Sequence, residues 1–215
     1  MGKAALRGGD GGDRPTFAWE ERLWGQGLVY VAGSDEAGRG SLAGPVVAAA
    51  VVFPPLFSAP WLARVDDSKR LSPKGRAALA PLIRSGALAV GIGLASPQEV
   101  DALGVGKATR LAMQRAVAGL PVCPQAVLVD ALPLRLDGIP CIPVVHGDRL
   151  SLSIAAASIL AKVERDALME ALDSRYPGYG FRGHKGYPTP AHQRALRLLG
   201  PSPVHRLSFA PVRRP

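Results

Sequence analysis

Four acidic residues stand where predicted strands end, at positions that folding alone does not require. Asp35 and Glu36 close the first apolar segment, Asp130 closes the fourth, and Asp148 follows the fifth. In open α/β sheets, functional sites collect at strand ends. Carboxylates gathered there raise one another's pKa or need a cation, and oxygen ligands suit hard cations such as Mg²⁺ or Mn²⁺. The four acids together therefore favour a metal site over four unrelated surface residues.

Each acid taken singly also has an ordinary structural explanation. Asp35 and Glu36 fit a turn before residues 37–38, Asp130 fits a strand-end turn, and Asp148 fits the N-cap of a following helix. The four acids on one sheet shift the balance toward a metal site only modestly. Neighbours on a strand also point to opposite faces. Asp35 and Glu36 can therefore serve one site only if the strand ends between them and the chain turns.

A glycine loop follows the first two acids, at Gly38, Arg39 and Gly40. With Ala43 it superficially matches a dinucleotide-binding fingerprint, but Pro45 and a valine-rich strand follow where that motif requires a helix. Two glycines let a backbone approach a ligand closely, and the arginine between them can reach a phosphate. A tight hairpin turn with an exposed arginine explains these residues equally well.

The positive charge of the chain is concentrated near its C-terminus. The chain has 26 Lys and Arg against 17 Asp and Glu, a formal net charge of +9, and residues 174–215 hold eight of the basic residues and no acid. Basic side chains there interleave with Tyr176, Tyr179, Phe181 and Tyr187. Cations bind phosphates and aromatic rings stack on sugars or bases, so the segment predicts nucleic-acid binding. A solvated surface with a few packed aromatics is the alternative.

Hydrophobic patterning predicts a mixed α/β sheet flanked by helices, in the order β-β-α-β-α-β-β-α, with a small C-terminal helical segment. The predicted strands are 28–32, 44–53, 87–94, 125–130 and 139–145. The predicted helices are 72–84, 96–118 with a break at Gly104 or Gly106, 151–172 and 191–199. Capping residues mark the starts at Ser72 and Ser96.

Composition excludes several classes of protein. Cys123 and Cys141 are too few and too isolated for a disulfide framework or a zinc site. The uncharged stretch 40–63 contains four prolines, and its apolar core, 46–53, is too short to span a membrane. Residues 1–15 are Gly-rich and charged, which is typical of a disordered leader and not of a signal peptide. We therefore expect a cytoplasmic monomer with the candidate metal site in a domain at 16–173 and the basic, predicted nucleic-acid-binding segment at 174–215.

Collinear segments of the chain resemble the type 2 ribonucleases H, the ribonuclease HII family. The resemblance covers about residues 28–212, and the matching segments are GSDEAGRGSLAGPVVAAAVVF (33–53), DDSKRLS (66–72), AMQRAVAGL (112–120), VLVD (127–130), GD (147–148), SIAAASILAKVERD (153–166), YGFRGHKGYPT (179–189) and HRLSFAPV (205–212). Segments in one common order are far more specific than any single motif.

The resemblance implies a ribonuclease H-like five-stranded sheet and an endonuclease. Such an enzyme cuts RNA in RNA–DNA hybrids, and cuts 5′ of single ribonucleotides embedded in duplex DNA, by two-metal-ion hydrolysis that leaves a 3′-OH and a 5′-phosphate. It assigns both the catalytic role and Mg²⁺ or Mn²⁺ ligation to Asp35, Glu36, Asp130 and Asp148. It assigns reading of the 2′-OH to Gly38, Arg39 and Gly40, and packing against the junction sugar to Tyr187. Lys69 and Lys185 are candidate phosphate contacts.

The sequence departs from the family pattern at two of the acids. Asp130 is followed by Ala131 and Leu132, where the family commonly has Gly-Asn, and Asp148 is preceded by His146-Gly147 in place of Lys-Gly. Two other functions remain open: another metal-dependent nuclease on the same fold, or a non-catalytic protein that binds RNA–DNA hybrids.

Overall fold

Five strands form a mixed sheet in the computed structural model, which describes residues 14–213. They are β1 (Val31–Ala37), β2 (Val46–Val52), β3 (Ala89–Ala95), β4 (Ala126–Asp130) and β5 (Cys141–Val144). Their order across the sheet is β3-β2-β1-β4-β5. The β1–β2 and β2–β3 pairs are antiparallel, whereas the β1–β4 and β4–β5 pairs are parallel. The predicted mixed five-stranded sheet is thereby confirmed.

Helices cover both faces of this sheet and continue into the C-terminal segment. The helices in 14–213 are α1 (Ala18–Trp24), α2 (Pro73–Gly86), α3 (Pro97–Leu103), α4 (Val105–Ala118), α5 (Gly147–Leu150), α6 (Leu152–Arg175), α7 (Phe181–His184), α8 (Pro190–Leu199) and α9 (Ala210–Arg213), with a 3₁₀ turn at Pro60–Arg64. None of the helices within 14–213 combines the length and apolar character needed to cross a membrane. The α1 helix, which packs its Trp19 and Leu23 beside β1 and β4, was not predicted.

Local capping chemistry sets the start of several helices. The Ser72 side chain accepts a hydrogen bond from Gly75 N at the start of α2. Ser96 and Glu99 form the predicted capping box at the start of α3. Gly104, with φ 77°, separates α3 from α4 and confirms one of the two predicted breaks. These starts were predictable because a cap depends on residues that are neighbours in the sequence.

The long helix α6 packs small residues against one face of the sheet. Its buried run from Leu152 to Ala161 includes Ala155, Ala156 and Ala157, which lie in one cluster with Ala49 and Val51 of β2. On the opposite face, α4 packs against the same sheet through Ala112 and Ala116. Small side chains bring helix and sheet close together, so the strand ends are held in a rigid two-sided core.

The first strand lies further along the chain than predicted. The prediction placed it at 28–32, but β1 runs through Asp35 and Glu36, which pair with Ala49 and Ala48 of β2. The expectation that these acids close the strand was therefore wrong. The antiparallel ladder with β2 satisfies their backbone groups, and that partner is invisible to a pattern read along β1 alone.

The C-terminal segment is built into the body of the molecule. Leu42 N donates to Gly186 O at 2.8 Å, Arg206 N donates to Leu42 O at 2.8 Å, and Gly44 N donates to Val204 O at 2.9 Å. The predicted leader at 1–15 lies almost wholly outside the described residues. Its last two residues contact the body of the protein: the exposed Arg14 donates to Ala63 O at 2.6 Å, and Pro15 is buried.

Candidate active site

A cleft of about 410 Å³ opens where β1 and β4 end. Three predicted acids, the glycine loop, one predicted phosphate contact and the predicted sugar contact all border it. Its lining residues are Asp35, Glu36, Ala37, Gly38, Arg39, Gly40, Ser68, Lys69, Asp130, Lys162 and Tyr187. The tertiary structure thus gathers residues that are up to about 150 positions apart in the chain.

Asp35 and Glu36 reach the same cleft although the strand continues through both. Asp35 is 5% exposed, and its Oδ1 accepts a hydrogen bond from Glu36 N at 2.8 Å. Glu36 is partly buried and accepts a hydrogen bond from Arg39 Nη1 at 3.2 Å. The cleft passes over the end of the sheet, so side chains from opposite faces of β1 both line it. A turn between the two acids was therefore not needed.

Asp130 is connected to the segment that carries Asp148 by a hydrogen bond to the backbone of Gly147. Asp130 is the last residue of β4, and its Oδ1 accepts a hydrogen bond of 2.8 Å from Gly147 N. Asp148 follows within the short helix α5 and is 5% exposed. The N-cap of α6 is Ser151, whose Oγ accepts from Ile154 N at 3.2 Å. The alternative reading of Asp148 as that cap was therefore wrong.

Burial and mutual repulsion disfavour the charged form of the acids and so raise their pKa values. Burial, followed by the charge of Glu36, raises the pKa of Asp35 well above its usual range, and Asp130 and Asp148 act in the same direction. Burial also raises the pKa of Glu36, against the opposing effect of Arg39. Burial and then Asp130 raise the pKa of Asp148, while Lys69 opposes them. Such a group of carboxyls binds protons or cations readily.

The side chains gathered at this end of the sheet offer the oxygen ligands that a hard divalent cation prefers. Every candidate ligand offers carboxylate oxygen, which suits Mg²⁺ or Mn²⁺ better than softer ions. Within residues 14–213, no three acidic, histidine or cysteine side chains are close enough to hold one ion as they stand. Lys69 Nζ lies 3.3 Å from Asp148 Oδ2 and 3.8 Å from Asp67 Oδ1, so a lysine supplies part of the positive charge there. The acids share one end of the sheet without forming a single coordination sphere.

The C-terminal segment contributes one aromatic residue to the cleft. Tyr187 lines it, with Lys162 Nζ 5.9 Å and Arg165 Cζ 5.5 Å from the ring centroid. Tyr179 and Phe181 are buried and stack on each other at 5.3 Å, so the expectation that they stack on nucleic acid was wrong. Their rings fill the core that attaches the segment to α6.

Lys185 does not line the cleft. Its Nζ pairs with Glu170 Oε1 at 2.6 Å, and its side chain is only 16% exposed. Its backbone takes the left-handed conformation, with φ 51°, at the end of α7. The sequence placed it beside Tyr187, but the local turn directs the two residues to different surroundings.

The sequence reasoning missed Ser68 and Lys162 in the cleft and Arg165 beneath it. One signal could have revealed Arg165. The buried face of α6 recurs at Ser158, Ala161, Arg165 and Met169, a spacing of three or four residues. An arginine on that buried stripe needs partners inside the protein, which marks it as a residue with a specific position.

Comparison with known proteins identifies the relatives of this chain. Residues 32–212 match the family model described as Ribonuclease HII. A Ribonuclease HII from Synechococcus sp. (strain JA-3-3Ab) is 54% identical over 93% of this chain and 90% of that protein. One from Syntrophotalea carbinolica is 55% identical over 94% of this chain and 95% of that protein. The crystal structure of ribonuclease H2 from Pyrococcus horikoshii OT3 superposes with a TM-score of 0.71 at 26% identity, covering 86% of this chain and 95% of that one.

Proposed function

Because the chain belongs to the ribonuclease HII family, and is therefore a metal-dependent ribonuclease that acts on RNA–DNA hybrids, we propose a more specific reaction for it. It cuts duplex DNA on the 5′ side of a single embedded ribonucleotide, as well as the RNA strand of hybrids, and leaves a 3′-OH and a 5′-phosphate. The observation that carries this proposal is the shared cleft, in which carboxylates, a glycine loop and Tyr187 face one space.

In this proposal Asp35, Glu36, Asp130 and Asp148 hold Mg²⁺ or Mn²⁺. Two bound ions would supply Lewis acidity at the scissile phosphate and at the leaving oxygen. The buried carboxyls of Asp35 and Asp148, whose pKa values are raised by their surroundings, favour the arrival of positive charge. The hydrogen bond from Gly147 N to Asp130 holds Asp148, the next residue, at a fixed distance from Asp130.

The chain's other cleft residues position the substrate. Gly38, Arg39 and Gly40 offer backbone groups to the sugar, and the 2′-OH is the group that separates RNA from DNA. Backbone contacts to a sugar do not read the base, so sequence preference should be weak. Tyr187 packs on the sugar beside the junction, and Lys69 contacts a phosphate. Lys185 contacts a phosphate outside the cleft in this proposal, and its ion pair with Glu170 must break before it can do so.

The division of labour along the chain belongs to the same proposal. Residues 16–173 form the catalytic domain, which carries the four acids. Residues 174–215 supply Tyr187 and bind the duplex, and residues 1–15 are a leader. The enzyme acts as a cytoplasmic monomer, and light scattering on the purified protein measures its mass directly.

One cleavage assay tests the proposal against its alternatives. A DNA duplex that carries one ribonucleotide is incubated with Mg²⁺ and either the unaltered protein or Asp130→Asn. A single cut 5′ of the ribonucleotide, lost in the variant, is expected. Binding without cleavage would support a hybrid-binding protein instead, and equal cutting of an all-DNA duplex would support a general nuclease.

A further inference from the structure

Two arginines are buried under the cleft without a carboxylate partner. Arg165 and Arg206 are both 0% exposed and are the largest fully buried side chains of the described residues. No carboxylate within 14–213 lies at ion-pair distance from either guanidinium. Asp166 near Arg165 and Asp101 near Arg206 supply opposite charge only from beyond ion-pair distance. A buried cation without an ion-pair partner is costly, which points to a specific structural role for both arginines.

Main-chain carbonyls accept hydrogen bonds from two of the three Arg165 side-chain nitrogens. Nε donates to Pro45 O at 3.1 Å and Nη2 donates to Ala43 O at 3.1 Å. Nη1 is buried and has no hydrogen-bond partner among the described residues. The two carbonyls belong to the segment that leaves the glycine loop, so Arg165 fixes where that segment lies above α6.

Gly38 rests directly on the Arg165 side chain. A Cβ built at Gly38 would lie 1.9 Å from Arg165 Nε and 2.5 Å from Arg165 Cδ, which is far inside contact distance. Gly38 also has φ +92°, a conformation that favours glycine. The absence of a side chain at Gly38 therefore lets the loop backbone settle onto the guanidinium.

The same guanidinium also meets the tyrosine of the C-terminal segment. Arg165 Cζ lies 5.5 Å from the centroid of the Tyr187 ring, a distance at which a cation is attracted to an aromatic ring. Hydrogen bonds join the two elements nearby, since Leu42 N donates to Gly186 O at 2.8 Å. Arg206 also supports the loop, because its Nη1 donates to Arg39 O at 2.8 Å. Arg165 is thus in contact with both elements that face the substrate sugar.

We propose that Arg165 is a positioning residue that sets the gap between the glycine loop and the Tyr187 ring, and so sets the preference for a ribonucleotide over a deoxyribonucleotide. This inference rests on the proposed function, which assigns the loop to the 2′-OH and the ring to the sugar. Backbone groups cannot change rotamer to follow a ligand, so their reach depends on the surface that supports them. A shift of the order of 1 Å is enough to lose such a contact.

The test measures binding preference and does not depend on turnover. Dissociation constants are measured by fluorescence anisotropy with Mg²⁺ for two duplexes that differ by one 2′-OH, in an Asp130→Asn parent. Arg165→Lys keeps the charge but loses the fork that bonds both carbonyls. We expect it to lower the preference for the ribonucleotide duplex about tenfold, the value of about one hydrogen bond, with little change in affinity for the all-DNA duplex.

A control variant separates positioning from general loss of stability. Leu160→Ala removes a fully buried side chain from the same helix, in the cluster that packs on the sheet. It should lower the unfolding temperature and leave the ribonucleotide preference unchanged. Should Arg165→Lys fail to fold, Arg165→Gln removes the buried charge and keeps an amide donor for a carbonyl, and the same loss of preference is expected.

A double-mutant cycle tests whether Arg165 acts through Tyr187. In a Tyr187→Ala background, Arg165→Lys should change the preference by a smaller factor than in the parent, because residues that act together are not additive. Factors that simply multiply would contradict the inference, and so would a preference that Arg165→Lys leaves intact. Absence of any preference in the parent would overturn the proposed function itself, and this inference with it.

Discussion

Gly147 N donates a 2.8 Å hydrogen bond to Oδ1 of Asp130, and this contact ties the end of β4 to the start of α5. The two residues are 17 positions apart, yet the bond places Asp148, the residue after Gly147, beside the strand end. In the proposed function this single carboxylate has two tasks. One oxygen orders the neighbouring loop by accepting from Gly147 N, and the residue also lines the cleft, where it is proposed to bind metal.

Asp130→Asn and Asp130→Ala should separate these tasks. The amide oxygen of Asn still accepts from Gly147 N, so we expect stability to change by less than about 1 kcal/mol, whereas Ala leaves that buried donor unpaired at a cost of about 1–3 kcal/mol. Both variants should lose cleavage by about 100-fold or more, equivalent to about 2.7 kcal/mol in the barrier. Chemical denaturation and single-turnover cleavage measure the two effects. Full activity in Asp130→Asn would remove Asp130 from the site.

Ala131→Gly should stabilise the protein. Ala131 has φ 47°, a left-handed conformation that costs a non-glycine residue about 1–2 kcal/mol, and glycine avoids that cost while losing part of the gain to greater freedom when unfolded. We expect a net gain of about 0.5–1 kcal/mol in the free energy of unfolding. Ala77→Gly, at an exposed position in the interior of α2, is the matched control and should destabilise instead. A loss of stability in Ala131→Gly would contradict the observed turn.

Lys69→Met should weaken duplex binding and reduce its salt dependence. Each phosphate contact contributes about one unit to the slope of log affinity against log salt, so loss of Lys69 should lower that slope by about one. Lys185→Met should change the slope less, because the Lys185 side chain is only 16% exposed and lies outside the cleft, whereas that of Lys69 is 77% exposed and lines it. Lys74→Met, an exposed lysine at the start of α2, is the control for loss of one charge. Equal salt-dependence slopes for the Lys69 and Lys74 variants would contradict the proposal that Lys69 contacts a phosphate.

Acid should destabilise the C-terminal segment through His205. Burial, and next the neighbouring His192, lower the pKa of His205 to about 4, against an ordinary value of 6.5. Between these values the unfolded chain binds more protons than the folded one, so stability is fully present above about pH 6.5 and falls as the pH drops toward 4. The geometry agrees, since Ser202 N donates to His205 Nδ1 at 2.9 Å and a proton there would break that bond.

His205→Asn keeps an acceptor for Ser202 N but does not titrate. Its unfolding temperature should therefore fall less than that of the unaltered protein between about pH 7 and pH 4. Part of the dependence of the unfolding temperature on pH should remain, because burial also lowers the pKa of His192. His146→Asn, at an exposed left-handed position that tolerates Asn, is the control for replacing a histidine by asparagine outside the buried histidine cluster. Identical slopes for His205→Asn and the unaltered protein would contradict the prediction.

Features that depend on nearby residues were predictable from the sequence. The capping box at Ser96, the break at Gly104 and the small-residue face of α6 each need only residues within a few positions of one another. Four of the five strands were predicted close to their observed bounds for the same reason. The order of the motifs was enough to indicate the family, because the residues that could do chemistry keep their types and their sequence order.

The tertiary structure alone decided how those residues meet. Pairing with β2 extends β1 through Asp35 and Glu36. Packing against α6 buries Tyr179 and Phe181, whereas Tyr187 lines the cleft. Arg165 bonds a carbonyl 122 positions away, and Arg206 bonds one 162 positions away. The sequence by itself therefore determined the local elements and the identity of the chemical groups. Their burial and their spacing come from contacts between distant segments, which no local pattern contains.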